Sequence, residues 1–311
     1  MAVQPASGQH LVSSGLIDYS LLMHRYLSLI LTALCLLFVL GCRSSAPIPM
    51  PEPEGEKYIE RGRELAQGLA SCGFCHGLTS EPGAVLSGGR KLEDLYGEVH
   101  APNISPSKSG VGTWSSQDLV RAIRLSENPE GEALSPKFHR GMEWMADEDV
   151  YSIVAYLRTV TPVDSDVQRR SLSTFDRYTV GIMDKSKEVE GYVPALDPKN
   201  MKAYGQYLTN HVARCSTCHN SPGTLLSSES YLAGGQEFEV NGEVRLVPNI
   251  TGSETFGIGS WDEEEIVHYL QTGRVPGNRV VDPAFCPVGF YRNASEKELL
   301  AIAHYLRSVQ S

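Results

Sequence analysis

Two short stretches carry the residues best suited to chemistry, Cys72-Gly73-Phe74-Cys75-His76 and Cys215-Ser216-Thr217-Cys218-His219. Two thiols two residues apart reach the two vinyl groups of one porphyrin, and the adjacent imidazole reaches the iron beneath it. The C-x-x-C-H pattern is therefore the attachment signature of a c-type haem. A zinc half-site or a redox disulfide uses the same thiol spacing. The immediate His, and the lack of a second C-x-x-C in either region, favour haem over both. The chain is expected to hold two covalently bound haem c groups, on Cys72 and Cys75 and on Cys215 and Cys218, with His76 and His219 on the irons.

The elements that must position these motifs occur twice. Tyr58 to Ala70 has apolar and small residues at helical spacing and leads into the first motif, as Met201 to Arg214 leads into the second. Pro102-Asn103-Ile104-Ser105 recurs as Pro248-Asn249-Ile250-Thr251. Gly110-Val111-Gly112-Thr113-Trp114-Ser115 recurs as Gly257-Ile258-Gly259-Ser260-Trp261-Asp262. Ser115 to Asp118 caps a helix running to about Leu125. The Gly- and Pro-rich stretch from His76 to Thr113 reads as mostly loop. Asp147-Glu148-Asp149 opens a helix that continues to Arg158 and stops at Thr161-Pro162. Ala155-Tyr156-Leu157-Arg158 returns as His304-Tyr305-Leu306-Arg307, on a last helix opened by the capping box Ser295-Glu296-Lys297-Glu298. The expected architecture is all-α, in two homologous haem domains, 57–161 and 201–311, joined by a linker over 162–200. Phe175, Tyr178, Ile182 and Met183 make that linker too apolar for a free tether.

In this order, C-x-x-C-H, P-N-I-[ST], G-[IV]-G-x-W and [AH]-Y-L-R resemble class I cytochrome c domains, and in particular the multihaem cytochrome subunits of periplasmic alcohol and aldehyde dehydrogenases. The resemblance spans both repeats. It implies a helical fold wrapped round each haem, electron transfer as the activity, His76 and His219 as proximal ligands, and Trp114 and Trp261 packed at the haem edge.

The distal ligands depart from that family, whose loop before the final helix carries a Met. No Met follows Met201. At the corresponding place stands Phe285-Cys286-Pro287, so Cys286 becomes the candidate ligand of the second iron. A free thiol or an intermolecular disulfide is the competing reading of this cysteine. Cys286 follows Trp261 at the interval at which His139 follows Trp114, and Pro136-Lys137-Phe138-His139 aligns with Pro283-Ala284-Phe285-Cys286. This alignment nominates His139 for the first iron. Met142, aligned with Tyr291, is the alternative, and Met145 reads as a packing residue. His211, His268 and His304 lie on helices and read as ordinary surface or core histidines. Thiolate and bis-His ligation both place a haem below the potential of His/Met ligation.

With 311 residues and a formal net charge of −10, the chain is too acidic for a nucleic-acid partner and suits a basic docking patch on a redox protein. At the other end, His24-Arg25, the apolar run Leu27 to Leu40 and Gly41-Cys42 form a signal segment over 1–42. The apolar run falls short of the roughly 20 residues of a membrane span. Val39-Leu40-Gly41-Cys42 resembles a lipobox, implying a start at Met23, lipid on Cys42 and a flexible tether over 43–56. The expected protein is a dihaem carrier on the periplasmic side of a bacterial membrane, lipid-anchored, with a dehydrogenase or another cytochrome as partner. A soluble periplasmic protein and an N-terminally anchored one are the alternatives. The competing functions are an enzyme oxidising a small sulfur compound such as thiosulfate, and a haem sensor or peroxidase.

Overall fold

The computed structural model describes residues 55–79, 81–178, 189, 191–223, 230–240 and 242–310. The signal segment, the start at Met23, the lipobox Cys42, nearly all of the tether, and Ile182 and Met183 of the linker lie outside the described residues.

The first helix, α1 (Glu56–Gln67), buries Gly62, Leu65 and Ala66 on one face, and α2 (Cys72–His76) follows at once. A hairpin pairs β1 (Lys91–Asp94) with β2 (Gly97–His100) in antiparallel register, Lys91 opposite His100. Next come α3 (Ser116–Leu125), α4 (Pro136–His139) and a 3₁₀ turn at Met142–Trp144. The long buried helix α5 (Asp147–Leu157) and the short α6 (Thr174–Tyr178) follow. The order then repeats. After α7 (Met201–Tyr207) come α8 (Ser216–His219), β3 (Glu237–Val240) paired with β4 (Glu243–Leu246), α9 (Glu263–Thr272), α10 (Val288–Tyr291) and α11 (Glu296–Ser308). Among the described residues no helix is long and apolar enough to cross a membrane.

Local chemistry starts the helices where the sequence places them. Ser115 and Asp118 form a reciprocal capping box on α3, as do Asp262 with Glu265 on α9 and Ser295 with Glu298 on α11. Three acids in the first turn of α5 face its dipole, and Asp147 also takes the Arg124 guanidinium at 2.5 Å.

The core of each half is a crossing of its first and last helices. A Cβ built on Gly62 would sit 1.8 Å from the Ser152 carbonyl oxygen and 2.8 Å from Tyr156 Cβ. One built on Gly205 would sit 1.9 Å from the Ala301 carbonyl oxygen and 2.8 Å from Tyr305 Cβ. The backbones touch, and only glycine permits it. Around the second crossing, Leu299, Ala301 and Ala303 are fully buried, and Ile302 nearly so. Burying a side chain of the size of Leu299 or Ile302 contributes about 2 kcal/mol.

Three features add to or modify the sequence reading. The stretch from His76 to Thr113 is mostly loop, as expected, and the loop also holds the β1–β2 hairpin, whose turn uses Gly97 at φ +87°. Four-residue strands are too short to print a period-2 pattern. The helix expected over Met201 to Arg214 breaks into α7, a π turn at Leu208–Val212 and a left-handed Arg214 at φ 53°. Ser71, at φ 45°, does the same before Cys72, so a left-handed residue precedes each motif. Finally, part of the linker is bound down. Arg170 grips the fully buried Asp94 carboxylate with Nη1 at 2.7 and 2.6 Å and donates through Nη2 to the Gly97 and Glu98 carbonyls.

Candidate haem sites

Each attachment motif is a short helix turned so that its histidine meets a carbonyl. His76 Nδ1 lies 2.8 Å from the Pro102 oxygen and His219 Nδ1 lies 2.8 Å from the Pro248 oxygen. A carbonyl only accepts, so Nδ1 carries the proton and Nε2 keeps its lone pair. Pro102 and Pro248 open the repeated P-N-I segments, which explains why those segments recur at all. Burial lowers the pKa of both imidazoles, against the pull of the proline carbonyls, and so holds them neutral.

Glycine fixes the distance between motif and carbonyl. Gly88 and Gly234 sit at φ +77° and +69°, and a Cβ on either would lie within 2.7 Å of the Pro102–Asn103 or Pro248–Asn249 backbone. Their N–H groups donate to the His76 and His219 carbonyls at 2.9 and 2.6 Å. The sequence does signal this pair, through Leu86-Ser87-Gly88-Gly89 and Leu232-Ala233-Gly234-Gly235.

The four motif thiols are half-buried and unpaired by disulfides. Burial pushes Cys72 up to about 11 and Cys215 up to about 12, and raises Cys75 and Cys218 as well. Neutral sulfur is the form that thioether attachment retains. Among the described residues no three His, Cys, Asp or Glu side chains converge as they would on a bare metal ion.

On the opposite side of the first motif stands His139, the last residue of α4. Its ring centre is 6.2 Å from that of His76, at an interplanar angle of 64°. Metal–nitrogen bonds of about 2 Å on either side of an iron, plus the reach from ring nitrogen to ring centre, add up to about 6 Å. Nδ1 of His139 lies 2.9 Å from the Ala122 carbonyl oxygen of α3 and donates to it, which leaves the lone pair on Nε2. Burial, Arg214 and His76 hold its pKa down to about 3. Met142 is buried in the 3₁₀ turn three residues on, and Met145 is fully buried.

In the second half Cys286 lies close enough to Cys215 and Cys218 for their charges to act on one another. Burial pushes its thiol up to about 11, opposed by a hydrogen bond from the Tyr269 hydroxyl of α9. In the first half His76 and His139 thus face each other at a separation that fits an iron between them, and in the second Cys286 lies near the two motif thiols.

Trp114 and Trp261 are half-buried. Trp114 carries the Arg169 guanidinium over its ring at 4.6 Å, and Arg169 Nη2 donates to the Asn103 and Gly110 carbonyls. Arg158, from the A-Y-L-R repeat, donates to the Trp114 and Val111 carbonyls. Trp261 packs edge-on to Tyr269 at 6.0 Å. His268 and His304 are exposed, the latter paired with Glu263 at 2.9 Å. His211 donates to the Gly141 carbonyl at 2.8 Å. Sequence reasoning missed Arg169, Arg90 and Arg214, because nothing in a lone arginine's neighbours names a partner distant in the chain.

Comparison with known proteins points to one family. Residues 59–161 match the cytochrome c family. A diheme cytochrome c-type protein of Cereibacter sphaeroides is 30% identical, over 80% of this chain and 85% of its own length. The fructose dehydrogenase cytochrome subunit of Gluconobacter japonicus is 31% identical over 90% of this chain and 58% of its own. The alcohol dehydrogenase (quinone) cytochrome c subunit of Gluconobacter oxydans is 26% identical over 82% and 55%. The chain spans little more than half the length of these two dehydrogenase subunits.

Proposed function

Because the chain belongs to the cytochrome c family, we propose that it is a dihaem electron carrier built from two tandem cytochrome c domains, 57–161 and 201–311, joined by residues 162–200. The observation that carries this reading is the duplication of a complete site, with each motif histidine fixed on a proline carbonyl at 2.8 Å. A covalently held haem supplies a reversible one-electron iron couple.

The residues divide the remaining work. Cys72, Cys75, Cys215 and Cys218 tether the two groups. His76 and His219 present Nε2 from the proximal side, with their Nδ1 protons committed to Pro102 and Pro248. His139 and Cys286 close the distal side, so that no position stays open to a substrate, and Met142 is the alternative to His139. Trp114 and Trp261 wall the haem edges. Thiolate and imidazole ligands donate more charge to ferric iron than a thioether does, so both potentials lie low.

The proposed partner is a periplasmic dehydrogenase or another cytochrome, meeting an acidic carrier. In this reading Cys42 bears a lipid that tethers the domains at a bacterial membrane. Support for a carrier over an enzyme oxidising a small sulfur compound, or over a sensor or peroxidase, comes from relatives that are named as cytochrome subunits of dehydrogenases.

Low-temperature EPR of the oxidised holoprotein, beside Cys286→Ala, tests the reading. A low-spin signal with the narrow g-spread of thiolate ligation is expected, and it should vanish in the variant. An unchanged spectrum would remove Cys286 from the iron, and turnover of thiosulfate with a dye acceptor would end the carrier assignment.

A further inference from the structure

The two halves are joined by a crossed pair of arginines. Arg90 belongs to the first half. Its Nη1 donates to the Phe74 carbonyl inside the first attachment motif at 2.8 Å, and its guanidinium lies over the Phe74 ring at 3.9 Å. Its Nη2 crosses to the second half and donates to the Ala284 carbonyl at 3.1 Å, two residues before Cys286. Arg214 belongs to the second half and immediately precedes Cys215. Its side chain runs the other way, and Nη1 donates to the Phe138 carbonyl, one residue before His139.

Both acceptors lie in the repeated distal loop, since Lys137-Phe138-His139 aligns with Ala284-Phe285-Cys286, while Arg90 and Arg214 stand at different positions of the repeat. Each half therefore sends one arginine from beside its own attachment motif to the distal loop of the other. Two further contacts follow the same route. His211 donates to the Gly141 carbonyl at 2.8 Å, and Phe290 of α10 packs edge-on against Phe74 at 6.4 Å. The Arg214 Nε is buried without an acceptor among the described residues, so the guanidinium is desolvated where it reaches the Phe138 carbonyl. Guanidinium–carbonyl bonds are charge-assisted and about twice as strong as neutral ones.

We propose that Arg214 and Arg90 are positioning residues that act across the halves, Arg214 holding the His139 loop on the first iron and Arg90 holding the Cys286 loop on the second. Distal ligation of each haem is then a property of the pair, and a change at one attachment motif is felt at the other iron. This rests on the ligand assignments proposed above.

The test is a set of full-chain holoprotein variants, read by EPR of the oxidised form and by carbon monoxide binding to the reduced form. Arg214→Gln is expected to weaken the His/His low-spin signal and let carbon monoxide bind that haem, while the thiolate signal stays intact. Arg90→Gln is expected to alter the thiolate signal and spare the other. In each protein the unaffected haem serves as the internal control for folding. If Arg214→Gln fails to accumulate, Arg214→Lys supplies the reading, because one ammonium in place of the planar fork should loosen the same iron to a lesser degree. Substitutions that disturb only the haem of their own half, or neither, overturn the inference. His139→Ala and Cys286→Ala separate the two levels. If neither changes either signal, the ligand assignments fail and the inference falls with them. If both do and the arginine variants show no crossed effect, the inference alone fails.

Discussion

A histidine is suited to hold a metal when one nitrogen donates its proton elsewhere and the other keeps its lone pair, and His139 has that arrangement. Its Nδ1 is spent on the Ala122 carbonyl, burial keeps the ring neutral, and the ring faces His76 across 6.2 Å. Met142, three residues on, has a thioether but no comparable anchor at its sulfur. Replacing His139 with alanine is therefore expected to leave one haem five-coordinate, so that carbon monoxide binds the reduced protein. Met142→Leu should leave the spectrum unchanged, and the reverse pattern would move the ligand to Met142. His139 was legible in the sequence only through the repeat, because Pro136 to His139 aligns with Pro283 to Cys286. The arginines were not. Arg90, Arg169 and Arg214 take their meaning from carbonyl groups, and carbonyls leave no mark in a sequence.

At the scale of elements, helix identity was readable wherever a cap announced it. Ser115 with Asp118 and Ser295 with Glu298 start α3 and α11 at the residues the sequence indicated. The breaks were not readable. The π turn at Leu208–Val212 and the left-handed Arg214 sit in sequence of ordinary helical composition. The crossing of first and last helices was likewise hidden, since Gly62 and Gly205 look like weak helix formers until the opposing backbone is in view. A methyl at Gly62 would lie 1.8 Å from the Ser152 carbonyl oxygen, and one at Gly205 1.9 Å from that of Ala301, where backbone and not a flexible side chain must yield. Gly62→Ala and Gly205→Ala are each expected to destabilise the holoprotein by about 3 kcal/mol, despite the better helix propensity of alanine. Chemical denaturation followed by helical circular dichroism checks this. A stabilised variant would show that the helices can separate at no cost.

Across the molecule, the two halves share one charged seam. Arg61 of α1 reaches Asp149 of its own half at 3.0 Å and Glu298 of the other half at 2.8 Å. Tyr207 donates to Asp149 at 2.6 Å, and Tyr204 donates to Glu298 at 3.4 Å. Burial alone would raise the Glu298 carboxyl, but the charge and hydrogen bond of Arg61, with help from Ser295, outweigh it and hold the pKa below its ordinary value. A carboxyl depressed on folding contributes stability that is complete above its unfolded value, near 4.5, and is lost as pH falls through the lower folded value. The junction should therefore weaken in acid, from about pH 4.5 downward, and hold at neutrality. Glu298→Gln keeps an acceptor for the Ser295 cap but removes the charge facing Arg61. Its cost at neutral pH should be about 2 kcal/mol, the worth of one shielded hydrogen bond to a charged group. Wild type and variant should converge only once pH has fallen through the lowered folded value, because protonation then does to the first what substitution did to the second. Thermal midpoints measured from about pH 2 to 7 decide the matter. Parallel curves would mean that the seam is held by its tyrosines and apolar contacts, with Glu298 contributing no charge to the union of the halves.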